Sequence, residues 1–127
     1  MKLQVSLEYI LVTSFFISIV LSAFVFLYHQ YYSSQSEYYS AVIEKNIKEI
    51  SDLAEIIYIQ GQPAKITLEL NFPKLTKIKC ENDTIYYEYE NVKNFIKGNY
   101  IAVCNLNLVA IQKIIIESKE NYVEIKI

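Results

Sequence analysis

The sequence predicts an α+β fold, in which one long N-terminal helix packs on a small antiparallel β-sheet or sandwich. Residues 9–28 are apolar and carry no charge. Residues 39–57 repeat apolar side chains at every third or fourth position, which is the period of a helix with one buried face. Beyond residue 61, short runs alternate between apolar and polar side chains, as strands do. A chain of 127 residues has room for one small domain and an appendage.

The apolar segment 9–28, YILVTSFFISIVLSAFVFLY, predicts a single transmembrane helix surrounded by membrane lipid. Its 20 residues cover about 30 Å at 1.5 Å per residue, which matches the hydrocarbon core of a bilayer. A secretory signal peptide is the alternative, but its apolar core usually has about 7–15 residues. Tyr28, Tyr31 and Tyr32 follow the segment like the aromatic residues of a membrane interface, and this favours a retained helix.

The helix is expected to continue from about residue 5 to residue 60, because no Gly or Pro interrupts it. Gly61 can adopt the left-handed capping conformation and Pro63 prevents continuation. We therefore expect a short leader at residues 1–3, a long helix at 4–60 and a β-rich head at 61–127. The stripe that would enlarge the core of the head consists of Tyr39, Ile43, Ile47, Ile50, Ala54 and Ile57.

The head is predicted to contain five to seven strands. Residues 113–117 are apolar at their centre, which predicts a strand covered on both sides. A head of about 65 residues is marginally stable. A Cys80–Cys104 disulfide would add about 3.5 kcal/mol in the chain-entropy model, and two unbonded buried cysteines are the alternative. The alternating runs are 64–70, 76–80, 84–90, 104–108 and 122–127.

The orientation of the chain in the membrane is predicted mainly from residues of the head. Lys2 precedes the apolar segment and Lys45 and Lys48 follow it, so the positive-inside rule is nearly balanced. Asn82 begins an Asn-Asp-Thr sequon, which can be glycosylated only outside the cytoplasm. Together with the even pair of cysteines, this predicts an internal N-terminus and an external head.

The chain lacks the residue sets that most catalytic and cofactor sites need. His29 is the only histidine and there are two cysteines, so a structural zinc site lacks ligands. Two glycines cannot form a phosphate loop. Arginine is absent and no basic stripe exists, which leaves nucleic-acid binding without support. The sequence therefore predicts no enzyme, no cofactor, no metal and no small-molecule substrate.

Glu8 places a carboxylate at the leading edge of the apolar segment. One interpretation is an acid that complements the dipole at a helix N-terminus. The other comes from its neighbours: Gln4, Ser6 and Glu8 resemble the processing motif of archaeal type IV pilin-like proteins with a class III signal peptide. That motif reads Gln-x-Ser-x-Glu, followed four residues later by Leu. Here Val12 stands in the Leu position.

The resemblance implies that a prepilin-type signal peptidase cleaves between Leu3 and Gln4. The family usually has a longer basic leader that ends in a small residue, whereas this leader is Met1-Lys2-Leu3. Glu8 would become the fifth residue and would pair with the new amino terminus of a neighbouring subunit. The implied function is a major or minor structural subunit of a surface filament, with like subunits or other pilins as partners. The alternative is a single-pass anchored protein whose small extracellular domain binds a partner without polymerising.

Overall fold

The computed structural model describes the backbone of residues 2–127 and the side chains from Ser6 onward. Helix α1 precedes five strands, so the α+β prediction is confirmed. The chain forms two compact units, one that ends at Tyr38 and one that covers Tyr39–Ile127. The second half of α1 therefore belongs with the sheet, in agreement with the predicted packing of its stripe, although the predicted bounds separated the helix from the head. The elements are α1 Lys2–Gln60, β1 Lys65–Glu81, β2 Thr84–Tyr89, β3 Val92–Lys97, β4 Ala102–Ser118 and β5 Val123–Lys126.

Helix α1 ends where the sequence predicts. Gly61 has a φ of 67°, in the left-handed region that glycine enters without a steric penalty. The Gly61 N–H donates to the Ile57 carbonyl at 3.2 Å, and the Ala64 N–H donates to the Gly61 carbonyl at 2.9 Å. These two bonds close the last turn and direct the chain into β1. The Gln62–Pro63 peptide bond in this connection is cis.

The helical part of the second unit buries the predicted stripe against the inner face of the sheet. Tyr39 is half-buried and the five apolar residues that follow it in the stripe are buried. Each fully buried Ile side chain contributes roughly 1.5–3 kcal/mol relative to an exposed one. Asn46 Nδ2 donates to the Asn71 carbonyl at 2.7 Å, which fixes the helix along the sheet. The largest buried residues outside the helix are Tyr100, in the connection between β3 and β4, and the sheet residues Phe72, Ile78, Ile85, Leu108, Ile114 and Ile116.

The sheet has the strand order β3-β2-β1-β4-β5, and the first three neighbouring pairs are antiparallel. β1 and β4 have 17 residues each and pair along almost their whole length. The register shifts between Phe72 and Thr76, across from Ala110, whose φ is 59°. Such a bulge bends both strands. The runs at 64–70 and 76–80 are therefore two halves of one strand, as are those at 104–108 and 113–117.

β5 pairs with both ends of β4. Val123 and Glu124 pair in parallel with Ala102 and Val103, and the same strand pairs in antiparallel register with Ile115–Ser118. The Val123 N–H also donates to the Ile101 carbonyl at 2.7 Å. Val123 and Glu124, at the start of β5, therefore each pair with a residue from the beginning of β4 and with one from its end. For this to be possible, β4 must curl so that both of its ends lie beside β5. The sheet is thus curled and mainly antiparallel, with one short parallel contact.

The prediction that residues 113–117 are covered on both sides is wrong. Ile114 and Ile116 are fully buried, but Ile115 between them is only half-buried. Alternation continues through the three isoleucines because the helix covers one face of the sheet and leaves the other open.

Candidate functional site: an exposed apolar helix behind a single acid

The apolar segment of α1 is exposed along its length. Its most apolar 18-residue window has a mean hydropathy of 2.6, and none of that window is buried. Phe24 is 72% exposed and Phe16 is 69% exposed. The helix is long and apolar enough to cross a membrane by length and composition. So much exposed apolar surface requires either lipid or another apolar surface to cover it.

Three hydroxyl side chains within the apolar segment form hydrogen bonds inside the helix. Thr13 Oγ1 donates to the Tyr9 carbonyl at 2.7 Å, and Ser14 Oγ donates to the Leu11 carbonyl at 3.0 Å. Ser22 Oγ donates to the Ser18 carbonyl at 2.8 Å. Because each hydroxyl has a partner in its own helix, an apolar environment leaves none of the three unsatisfied.

Glu8 is the only acid in the first half of the helix. Its side chain is exposed, and no Asp, Glu, Lys or Arg occurs between it and Glu37. The helix includes Lys2, so Glu8 lies at least six residues inside it, and the first described turn contains no acid. The helix dipole acts mainly within the first turn. The dipole interpretation of Glu8 therefore has little support in this chain.

The remaining residues of the predicted processing motif are only partly described. Ser6 is exposed on the helix. The side chains of Leu3 and Gln4 lie outside the described residues, although their backbone belongs to α1. The cleavage position between Leu3 and Gln4 stays a prediction.

The aromatic residues that follow the apolar segment are exposed on the helix. The rings of Tyr28 and Tyr32 are 5.2 Å apart. Gln35 Nε2 donates to the Tyr31 hydroxyl at 2.6 Å. His29 is exposed beside them, and no group of His, Cys, Asp or Glu within the described part of the chain could hold a metal ion.

Cys80 and Cys104 lie directly opposite each other on β1 and β4 and form a disulfide. Their Cα atoms are 4.8 Å apart, within the separation of about 7 Å that a disulfide can bridge. The bond joins two strands that are distant in sequence and lie in the centre of the sheet order.

The sequon occupies the turn between β1 and β2. Asn82 is exposed and has a φ of 53°. The Ala102 N–H donates to the Asn82 carbonyl at 2.8 Å, and the Gly98 N–H donates to the Asp83 carbonyl at 2.8 Å. Hydrogen bonds from Lys97 and then Thr84 lower the pKa of Asp83. The backbone of the turn is thus fixed while the Asn82 side chain is accessible for a glycan.

Comparison with known proteins gives no relative: no family model, no curated protein and no solved structure matches this chain. An argument about function therefore depends on the residues and the geometry described above.

Proposed function

We propose that this chain is a structural subunit, major or minor, of an archaeal type IV pilus-like surface filament. The observation that carries the proposal is the exposed, uncharged apolar helix with one acid near its start. The α+β architecture, a long N-terminal helix packed on a small curled sheet, fits a pilin-like fold. Apolar helices from many copies would bundle in the core of the filament, and the sheet units would form its surface.

Glu8 gives this assembly its specificity. A charged side chain inside an apolar bundle costs roughly 3 kcal/mol on insertion scales, so a buried acid needs a partner. Cleavage before Gln4 would supply one, because the new amino terminus carries a positive charge. The attraction between the two charges is strong where water is excluded. A neighbouring subunit that is misplaced along the helix axis leaves both charges unpaired, which favours one register.

The test replaces Glu8 with Gln, which keeps the size of the side chain and removes its charge. We expect Glu8→Gln protein to reach the membrane at normal levels but to be missing from filaments sheared from the cell surface. Glu37→Gln is the matched control, because Glu37 is an exposed acid of the same helix outside the apolar segment. The measurement is the amount of this chain in sheared filaments relative to membranes.

The alternative is a single-pass anchored protein with a small extracellular binding domain. The internally bonded hydroxyls of Thr13, Ser14 and Ser22 favour it, because a helix built in this way is stable in lipid without a neighbour. Incorporation of Glu8→Gln protein into filaments at the level of Glu37→Gln would remove Glu8 as an assembly contact. Absence of the unaltered chain from all filament fractions would favour the anchored domain.

A further inference from the structure

The face of the sheet opposite the helix carries side chains to which the proposed assembly assigns no role. Pairing across β3, β2, β1 and β4 aligns them in two neighbouring rows, and residues directly opposite each other have Cβ atoms about 4.5–5.5 Å apart. We call these two rows the outer face. The first row is Phe95, Tyr86, Lys79 and Asn105, and the second row is Lys93, Glu88, Lys77 and Asn107.

The first row presents an aromatic pair to solvent. The ring centroids of Tyr86 and Phe95 are 6.3 Å apart, and Phe95 is 66% exposed. The neighbouring Ile85 and Tyr87 are buried, so alternation along β2 holds Tyr86 outward. The negative face of an aromatic ring attracts the weakly positive C–H groups of a flat sugar face. Two adjacent rings offer a stacking surface larger than one side chain.

The second row has a surplus of positive charge. Lys77 and Lys93 lie on either side of Glu88, and neither forms an ion pair with any residue that the structure describes. By contrast, Lys79 pairs with Glu81, and Lys97 pairs with Asp83 at 3.1 Å. Two lysines and one glutamate leave one positive charge without compensation, which suits one anionic group.

A shallow depression joins the two rows. Its volume is about 330 Å³, and Lys77, Tyr86, Lys93, Asn105 and Asn107 are among the residues that line it. The two asparagine amides supply hydrogen-bond donors and acceptors, and the Glu88 carboxylate supplies a further acceptor. A stacking ring, amide groups and a cation therefore converge on one small site.

We propose that the outer face binds an acidic glycan. A sugar ring stacks on Tyr86 and on the adjoining Phe95, its carboxylate contacts the Lys93 ammonium on the side away from Glu88, and its hydroxyls bond the two asparagine amides. One uncompensated charge does not match a nucleic acid, which carries a phosphate on every nucleotide and is usually bound by a strongly basic groove. A neutral glycan would leave the surplus positive charge of the second row without compensation. The site does not depend on polymerisation and serves a filament subunit or an anchored domain equally.

The experiment uses the full-length protein in lipid nanodiscs and measures binding by calorimetry. The probes are oligogalacturonate, the same oligosaccharide with its carboxylates methyl-esterified, and a single-stranded oligodeoxythymidylate. We expect oligogalacturonate to bind most tightly. Phe95→Ala and Lys93→Gln should each weaken that binding about tenfold, the range of a lost contact at a binding centre. Lys93→Gln should leave the weak binding of the methyl ester unchanged.

Two matched controls lie on β4 outside the two rows. Ile111 is 65% exposed, so Ile111→Ala removes a similarly accessible apolar side chain, and Lys113→Gln removes an exposed lysine. Both variants should bind oligogalacturonate like the unaltered protein. Equal binding of the methyl ester, tighter binding of the oligodeoxythymidylate or no binding of oligogalacturonate would each overturn the proposal. Equal effects of the control and outer-face variants would also overturn it.

Discussion

Tyr100 shows how one residue connects the helix to the sheet. Its side chain is 2% exposed, and its hydroxyl donates to Ser51 Oγ on the buried face of α1 at 2.7 Å. A tyrosine hydroxyl is protonated at neutral pH and can donate, and burial raises the pKa of Tyr100 further above its ordinary value. A Cβ on Gly98 would lie 2.1 Å from the Tyr100 ring, so a glycine is required there to let the ring reach the helix.

Replacing Tyr100 with Phe should lower the free energy of unfolding by about 1–2 kcal/mol, because the Ser51 hydroxyl then stays buried without its donor. Urea unfolding of the protein in detergent micelles measures this. Ser51→Ala and the double variant complete the cycle, and the double variant should lose less than the sum of the single variants. Additive losses would mean that the two hydroxyls are not coupled.

Cleavage of the leader also depends on individual residues. If the motif is recognised, the mature chain begins at Gln4 and lacks Lys2, the only lysine before Lys45. We expect mass spectrometry of native membranes to find an N-terminal peptide that starts at Gln4. Ser6→Ala protein is measured in the same way, to test whether the peptidase recognises this residue of the motif. A dominant peptide that still carries Met1-Lys2-Leu3 would contradict processing and favour the anchored domain.

At the scale of elements, the Cys80–Cys104 disulfide joins β1 to β4. It connects residues 24 apart in the sequence, so it restricts the unfolded chain. In the chain-entropy model, a loop of this length contributes about 3.5 kcal/mol. Replacing both cysteines with Ser should lower the free energy of unfolding by about 2–4 kcal/mol. A reductant should destabilise the unaltered protein and leave the double variant unchanged, whereas an unaltered protein insensitive to reductant would contradict the prediction.

The sequence could predict the elements whose signals come from residues close together in the chain. The helix stripe from Ile43 to Ile57 and the end at Gly61 follow from spacing and capping within the helix itself. The continuity of β1 could not be predicted, because Pro73 and its neighbours resemble a loop until β4 pairs on both sides of the bulge. The double pairing of β5 depends on contacts between strands distant in the sequence.

β3 was not predicted, and the outer face was missed with it. Its sequence, VKNFIK, has no apolar alternation, and all but one of its residues are exposed. An edge strand of this kind is stabilised by pairing with β2 rather than by burial. Phe95 joins Tyr86 only through that pairing, so no local signal in the sequence could bring the two rings together.

At the scale of the whole molecule, the two compact units carry different kinds of features. The uncharged apolar segment lies in the unit that ends at Tyr38. The disulfide, the exposed Asn82 and the outer face all lie in the unit Tyr39–Ile127. Disulfides are most frequent in oxidising surroundings outside the cytoplasm, and Asn-linked glycans are added there. These features of the second unit favour the predicted orientation, in which that unit lies outside the cell.

We therefore expect a membrane-impermeant amine reagent to label the sheet unit on intact cells. Lys93 and Lys113 are exposed on that unit and serve as the sites to be read out. In chains recovered from the membrane fraction, the amino-terminal amine, or Lys2 if the leader is retained, should become labelled only after the cells are opened, because it lies before the apolar segment. Peptide mass spectrometry reports both ends of the same chain, so each sample contains its own control for cell integrity. Labelling of Lys93 and Lys113 only in opened cells would place the sheet inside and would contradict the orientation, the glycan at Asn82 and the filament together.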